Sequence, residues 1–113
     1  MFNGAHVVVY SRDAEADRAF LRDVLQLRHV DAGDGWLIFA LPPAEIAFHP
    51  DDQSTAHEFY LMCDDIDAVR KSLADAGVES AGVEDQGWGL LSSFTLPGGS
   101  RVGFYQPRHA KPA

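Results

Sequence analysis

The chain repeats its own pattern at a spacing of about fifty residues, and this repetition constrains the fold more than any other feature. Residues 6–25 align with residues 58–77 at a constant offset of 52, and the same offset carries Gly35-Trp36 onto Gly87-Trp88. The identical pairs in the first stretch are Asp13 and Asp65, Ala16 and Ala68, Arg18 and Arg70, Leu21 and Leu73, and Asp23 and Asp75. Further along, the offset slips to 55 and then 56, as a short loop insertion would produce. An ancient duplication explains these matches best, so we expect two similar modules at about 5–50 and 56–107.

Length and composition indicate a single domain over 1–113. A chain of 113 residues with 46% apolar residues can bury an ordinary core, whereas a module of about fifty residues would be marginal alone. The two modules should therefore fold as one unit, within one chain or by exchange between two chains.

Charge and cysteine content exclude several classes of partner and compartment. The net charge is −8 and no cluster of Lys or Arg occurs, which argues against a nucleic-acid partner. Cys63 is the single cysteine, no charged-then-apolar leader opens the sequence, and no apolar run approaches the length of a membrane span. We therefore expect a soluble cytoplasmic protein with no membrane partner.

Hydrophobic periodicity predicts the same element order in each module. In the first, these elements are a strand at 6–10, a helix from the capping residue Asp13 to about Leu25, and strands at about 28–31, 36–41 and 45–49. In the second, they are a strand at 58–62, a helix from Asp65 to about Ala76, and strands near 78–84, 88–96 and 101–105. Each module is thus β-α-β-β-β, and the predicted class is α+β.

Alternation along the outer strands assigns their two faces. The helix-facing set is wholly apolar: Val7, Val9, Ile46, Phe48, Phe59, Leu61, Cys63, Val102 and Phe104. The opposite face collects His6, Val8, Tyr10, Glu45, Ala47, His49, Glu58, Tyr60, Met62, Arg101, Gly103 and Tyr105. This mixture of His, Glu, Tyr, Arg and Met is expected of a sheet that lines a small-molecule cavity.

These features together resemble one superfamily. Paired βαβββ modules with an Asp-led helix, Gly87-Trp88-Gly89 before a long strand, Leu96-Pro97-Gly98-Gly99 at the next turn and the closing 104–107 (Phe-Tyr-Gln-Pro) resemble the vicinal oxygen chelate superfamily. That superfamily includes glyoxalase I, bleomycin-resistance proteins, fosfomycin-resistance enzymes and extradiol dioxygenases. The resemblance covers about 5–107 and implies curved mixed sheets around a shared cavity, with a homodimer completing it. It does not specify the reaction, because one scaffold hosts several chemistries.

The resemblance also implies positions for a divalent metal, and the chain matches them poorly. The four ligand positions fall on His6, Ala47, Glu58 and Gly103, and two of these residues have no donor atom. A catalytic metal normally needs three protein ligands, which this chain reaches only if His49 or Glu45, on either side of Ala47 on the same face, joins His6 and Glu58. A shift of two residues from Ala47 to His49 moves the side chain by roughly 6–7 Å. We therefore favour a site without a cofactor, and a divalent metal is the alternative.

Each candidate site residue can be explained by a structural role as well as by a functional one. His6 and Glu58 are the candidate catalytic or metal-binding residues, but His6 also fits a polar cavity wall and Glu58 a partner for Arg101 or His6. The residues assigned to the ligand cavity are Tyr10, Glu45, Ala47, Tyr60, Met62, Arg101, Gly103, Tyr105, Trp36 and Trp88. For Trp36 and Trp88, a structural role at the start of a strand is favoured over stacking on an aromatic ligand.

Three functions remain open at this point. The absent ligands and the acidic, aromatic cavity favour a protein similar to bleomycin-resistance proteins, which binds an aromatic or amphipathic small molecule without chemistry. A metal-dependent lyase, isomerase or dioxygenase acting on vicinal oxygens is the alternative, supported by His6 and Glu58. A metal-free enzyme with Glu58 as base and His6 as its partner is the third.

Overall fold

Two helices and six strands lie in the part of the chain that the computed structural model describes, which is residues 6–44, 47–48, 50, 52 and 57–110. In chain order they are α1 (Ala14–Asp23), β1 (His29–Asp31), β2 (Leu37–Phe39), β3 (Tyr60–Met62), α2 (Ile66–Asp75), β4 (Glu84–Asp85), β5 (Gly89–Thr95) and β6 (Arg101–Pro107). Neither helix is long and apolar enough to cross a membrane.

Both helices begin at the aspartates that the repeat aligns. The Asp13 side chain accepts a hydrogen bond from the backbone N–H of Ala16, and Asp65 accepts from Asp67 and Ala68, each at 3.1 Å. These bonds satisfy N–H groups that the first turn of a helix leaves without a partner. The predicted helix starts are therefore confirmed.

The second half forms a four-stranded sheet with the order β3-β6-β5-β4. β3 runs parallel to β6, while β5 is antiparallel to both β6 and β4. The strand predicted at 78–84 is wrong in extent, since only Glu84–Asp85 is regular. The Ser92 hydroxyl donates to the Ala81 carbonyl at 2.7 Å and so takes an acceptor that a regular ladder would use.

Both helices pack on the same face of this sheet. Phe20 of α1 stacks on Phe94 of β5 at 5.5 Å between ring centroids, and Ile66 of α2 is almost completely buried. The buried core consists of Phe20, Ile66, Leu73, Phe94, Leu96, Val102 and Phe104. The helix of the first half is thus anchored on a strand of the second half.

The first half departs from the predicted pattern. Residues 6–10 form no strand, although the sequence predicts one, and β1 and β2 make a separate two-stranded sheet. Val7 and Val9 were expected to pack on α1, but each is 49% exposed, and Phe48 is 89% exposed. The apolar face of α1 is occupied instead, because Phe20 packs on β5. Of the strand predicted at 45–49, Glu45, Ile46 and His49 lie outside the described residues.

A buried carboxylate also joins the two halves. Asp17 of α1 is buried, and its Oδ1 accepts a hydrogen bond from the Gly98 N–H at 2.7 Å. A Cβ added at Gly98 would meet Asp17 Oδ2 at 2.7 Å and would also collide with Ser11 Oγ. Asp17 aligns with Val69 in the repeat, so this contact replaces an apolar one. Glycine is required here because the turn approaches α1 so closely.

Candidate ligand-binding site

The face of the sheet that is opposite to the helices carries the candidate site. In the register of β3 with β6, Tyr60 lies beside Gly103 and Met62 beside Tyr105. The alternate residues Val102 and Phe104 are buried on the helix side. The face assignment for these strands of the second half is therefore confirmed, and Tyr60, Met62, Gly103 and Tyr105 share one surface.

Three aromatic side chains on this surface meet nearly at right angles, and we call Tyr60, Trp88 and Tyr105 the aromatic corner. Their ring centroids are separated by 5.0 Å for Trp88 and Tyr105, 5.9 Å for Tyr60 and Tyr105, and 6.3 Å for Tyr60 and Trp88. The interplanar angles lie between 68° and 86°. Tyr105 is buried, whereas Tyr60 is 37% and Trp88 43% exposed. The aromatic corner therefore consists of one buried ring and two rings that are partly exposed to solvent.

A carboxylate adjoins the corner. The Tyr60 hydroxyl donates to Glu58 Oε2 at 2.5 Å. This hydrogen bond, with burial and the nearby negative charge adding to it, raises the pKa of Tyr60 above the ordinary value. The expectation that Glu58 pairs with Arg101 or His6 is wrong, because Tyr60 is its partner and the Arg101 Nε donates to Ser93 Oγ at 3.0 Å.

The segment after β6 supplies a further site residue, His109, that the sequence analysis did not identify. Its Nδ1 lies 2.9 Å from the Ala110 carbonyl, which only accepts, so Nδ1 carries a proton. In neutral His109, Nε2 is then the acceptor for the Tyr105 hydroxyl at 3.0 Å. Arg108 holds the segment in place through Asp85 and through the carbonyl of Trp88. The segment belongs to no periodic pattern, so the sequence carries no signal for this contact.

The predicted site residues of the first half lie elsewhere. Tyr10 is 90% exposed and lines a depression of about 360 Å³ with Arg12 and the turn at Gly98–Ser100. Trp36 lies under the Arg18 guanidinium, whose Cζ is 4.8 Å from the ring centroid. Among the described residues, His6, Ala47 and Trp36 make no hydrogen bond or ring contact with the aromatic corner. Glu45 and His49 are outside the described residues.

Cys63 lies on the helix side of the sheet, as predicted. It packs against the core, and its thiol donates to the Tyr105 carbonyl at 3.5 Å. Burial, with help from Asp64 and Asp65, raises the pKa of the Cys63 thiol. A thiol in this environment is a poor nucleophile and is not a site residue.

Solved structures with the same architecture were then compared with the chain. An antibiotic-binding protein from Streptomyces sp. CB03234 is 24% identical, with a TM-score of 0.66 over 95% of this chain and 99% of that protein. A lactoylglutathione lyase from Agrobacterium tumefaciens is 15% identical, with a TM-score of 0.66 over 92% of each chain. A glyoxalase/bleomycin resistance protein from Streptomyces sp. CB03234 is 24% identical, with a TM-score of 0.63 over 87% and 95%. The chain has the vicinal oxygen chelate fold. Comparisons with protein-family models and with curated protein sequences find no match.

Only two of the four metal positions that the vicinal oxygen chelate fold implies carry donors in this chain, namely His6 and Glu58. Ala47 and Gly103 carry none, and a Cβ added at Gly103 would lie 2.6 Å from Tyr60 Cδ1 and 2.7 Å from Cε1. The Tyr60 ring therefore occupies the space that a ligand side chain at position 103 would need. In the described part of the chain, no three His, Cys, Asp or Glu side chains are placed to hold a metal ion. The described donors do not fit a metal centre.

Proposed function

We propose that the chain binds a small aromatic or amphipathic molecule on the face of its second-half sheet that is opposite to the helices, without a metal and without transforming it. The observation that carries this proposal is the aromatic corner itself. Two of its rings are partly exposed with their centroids 6.3 Å apart, and a contiguous exposed apolar patch marks a ligand-binding or partner-binding surface. The antibiotic-binding relative of the same fold is in line with such a function.

Polar groups at the edge of the corner would orient the ligand. Glu58 lies beside Tyr60, and His109 lies beside Tyr105. A pocket with apolar walls and a few placed polar groups is the usual composition of a small-molecule site. Binding is favoured over catalysis because Glu58, the candidate base, already accepts a hydrogen bond from the Tyr60 hydroxyl and has no histidine partner among the described residues.

The packing of Tyr60 over Gly103 supports binding without a metal. A ligand side chain at position 103 would have to displace the ring, which lies under 3 Å from the Cβ position. Glu58, the metal candidate on β3's side of the site, is engaged by the same tyrosine. Tyr60 thus engages two of the four positions, by packing on Gly103 and by a hydrogen bond to Glu58, and the described residues offer no group of three metal ligands.

We also infer that two copies associate and that the second copy covers the first half. Among the described residues of the first half, the exposed large apolar side chains are Val7, Val8, Val9, Tyr10, Val30, Trp36, Leu41 and Phe48. On association, the three aromatic side chains of this set would bury roughly 500 Å². Each partner in a stable interface contributes about 800 Å², so these three side chains would supply a large part of that area. The radius of gyration is 15.1 Å, larger than the about 13 Å expected for a domain of this length. Light scattering after gel filtration should give the mass of a dimer, and a monomer at all concentrations would contradict this inference.

Ligand-dependent thermal stabilisation tests the binding function. A library of planar aromatic compounds is screened against the untagged chain, since a ligand that binds only the native state raises its melting temperature. Hits should remain after EDTA treatment and should weaken in Trp88→Leu. Phe39→Leu, which removes a ring on β2, serves as the control and should keep the hits. Stabilisation that EDTA abolishes would instead support the metal-dependent alternative.

A further inference from the structure

The internal duplication repeats a tryptophan that contacts a cation in the first half. In the first half, the Arg18 guanidinium lies over the Trp36 ring at 4.8 Å from the centroid. A cation within about 6 Å of a ring centroid is attracted by the negative face of the ring, and Trp is the strongest acceptor. The 52-residue offset carries Arg18 onto Arg70 and Trp36 onto Trp88. The second half therefore has the same two residues at equivalent positions.

In the second half, this pair is separated. Arg70 lies on α2, on the side of the sheet opposite to the aromatic corner, and its Nε donates to Ser80 Oγ at 3.2 Å. The nearby Arg108 guanidinium is also engaged, since it binds both carboxylate oxygens of Asp85 at 2.6 and 2.7 Å. Of the described cations, none lies over the Trp88 ring, although this tryptophan is 43% exposed. The duplication thus keeps both residues, but in the second half the arginine does not contact the tryptophan.

The other groups at the aromatic corner favour a cation in this place. The Glu58 carboxylate adjoins the corner through Tyr60, and the whole chain carries a net charge of −8. The Tyr60 hydroxyl already donates to Glu58, and the Tyr105 hydroxyl lies 3.0 Å from His109 Nε2. The corner therefore presents aromatic surface beside a carboxylate, and the Tyr60 hydroxyl, which already donates to Glu58, is not available to hold an anion.

We propose that the aromatic corner of Tyr60, Trp88 and Tyr105, with Glu58, binds the organic ammonium group of a ligand. The class is an alkylated ammonium, which makes few hydrogen bonds and gains most from aromatic faces and a nearby negative charge. This inference rests on the proposed binding function and names the chemical group that the site takes. Trp88 occupies in the second half the role of Trp36 in the first, with a ligand supplying the cation.

Choline and its neutral isostere 3,3-dimethylbutan-1-ol test the proposal, because they share shape and differ in charge. The methyl proton NMR signals of each probe are followed as the untagged chain is added, and both dissociation constants are obtained. Choline should bind about tenfold more tightly than the alcohol. Equal affinities, or binding of neither probe, would overturn the proposal.

Variants locate the bound cation. Trp88→Leu should lose choline binding by about tenfold, and Trp88→Phe, which keeps an aromatic face, should lose less. Glu58→Gln should weaken choline and leave the alcohol unchanged. Phe39→Leu should bind choline as the natural sequence does. Choline binding that is unchanged in both Trp88 variants would also overturn the proposal.

The two proposals fail in different ways. If a neutral aromatic compound from the library stabilises the chain through Trp88 and choline does not bind, the ammonium site is refuted and the binding function stands. If neither the library nor choline binds, both are refuted.

Discussion

A methyl group added at Gly103 tests the packing of Tyr60, on which the description of the site depends. Gly103 lies within β6, where alanine is ordinarily better tolerated than glycine. The added Cβ would nevertheless lie 2.6 Å from Tyr60 Cδ1, a separation that real Cβ atoms essentially never show. The ring must therefore move in Gly103→Ala.

The expected cost follows from what the ring would lose. Tyr60 lies on an edge strand and is 37% exposed, so it should swing outwards while β6 stays in place. It would then give up its edge contacts with Trp88 and Tyr105, each worth about 0.5–1.5 kcal/mol, and its hydrogen bond to Glu58. Overpacking of this kind costs about 1–3 kcal/mol. We expect a loss of about 2 kcal/mol, which lowers the melting temperature by roughly 8 °C for a domain of this size.

Urea and thermal unfolding followed by circular dichroism measure this loss. Gly82→Ala is the matched control, because a Cβ there meets nothing within 4 Å, and it should be neutral or slightly stabilising. In a Tyr60→Ala background, Gly103→Ala should cost little, since the clash is gone and the two changes are coupled. If Gly103→Ala is as mild as Gly82→Ala, or costs as much without the Tyr60 ring, the packing described here is wrong.

Three further predictions follow from other contacts. Tyr60 should ionise at a higher pH than a free tyrosine, and Glu58→Gln should lower the Tyr60 pKa in an ultraviolet titration. The stability gained from the raised pKa is present below about pH 10 and is lost as the pH rises through the pKa of Tyr60 in the native protein. A free energy of unfolding that stays constant across this pH range would contradict the prediction. Phe20→Ala should cost about 3–5 kcal/mol in urea unfolding, because it removes the ring that anchors α1 on the sheet, and a loss under about 1 kcal/mol would show that α1 is anchored otherwise. Gly98→Ala should destabilise by about 1–3 kcal/mol through collision with Asp17, and Asp17→Ala should relieve part of this cost; additive effects would refute the contact.

The second half could be predicted well from sequence because local signals and tertiary packing agree there. Asp65 caps α2 as its position suggests, and alternation places Val102 and Phe104 against the helices. The same alternation places Tyr60 and Gly103 on one face of the sheet. The close approach of the two residues does not follow from it, because a period of two gives the face of a side chain and not its direction along that face.

The first half could not be predicted in the same way, because its helix packs outside its own module. Periodicity shows that Phe20 needs an apolar partner, but it does not show that the partner is Phe94 rather than Val7 or Val9. One signal was present in the repeat: Asp17 stands where Val69 stands in the second half. A carboxylate on an apolar stripe indicates a specific polar partner, which the structure gives as the Gly98 N–H.

Metal content after reconstitution tests the central claim, that this fold serves here as a metal-free binding site. The untagged chain is incubated with Zn, Fe, Mn or Ni, passed through a desalting column and analysed by inductively coupled plasma mass spectrometry. We expect well under one metal ion per chain, with Glu58→Gln indistinguishable from the natural sequence. Near one tightly held ion per chain, lost in Glu58→Gln, would show that Tyr60 gives way to a metal centre and would contradict the account.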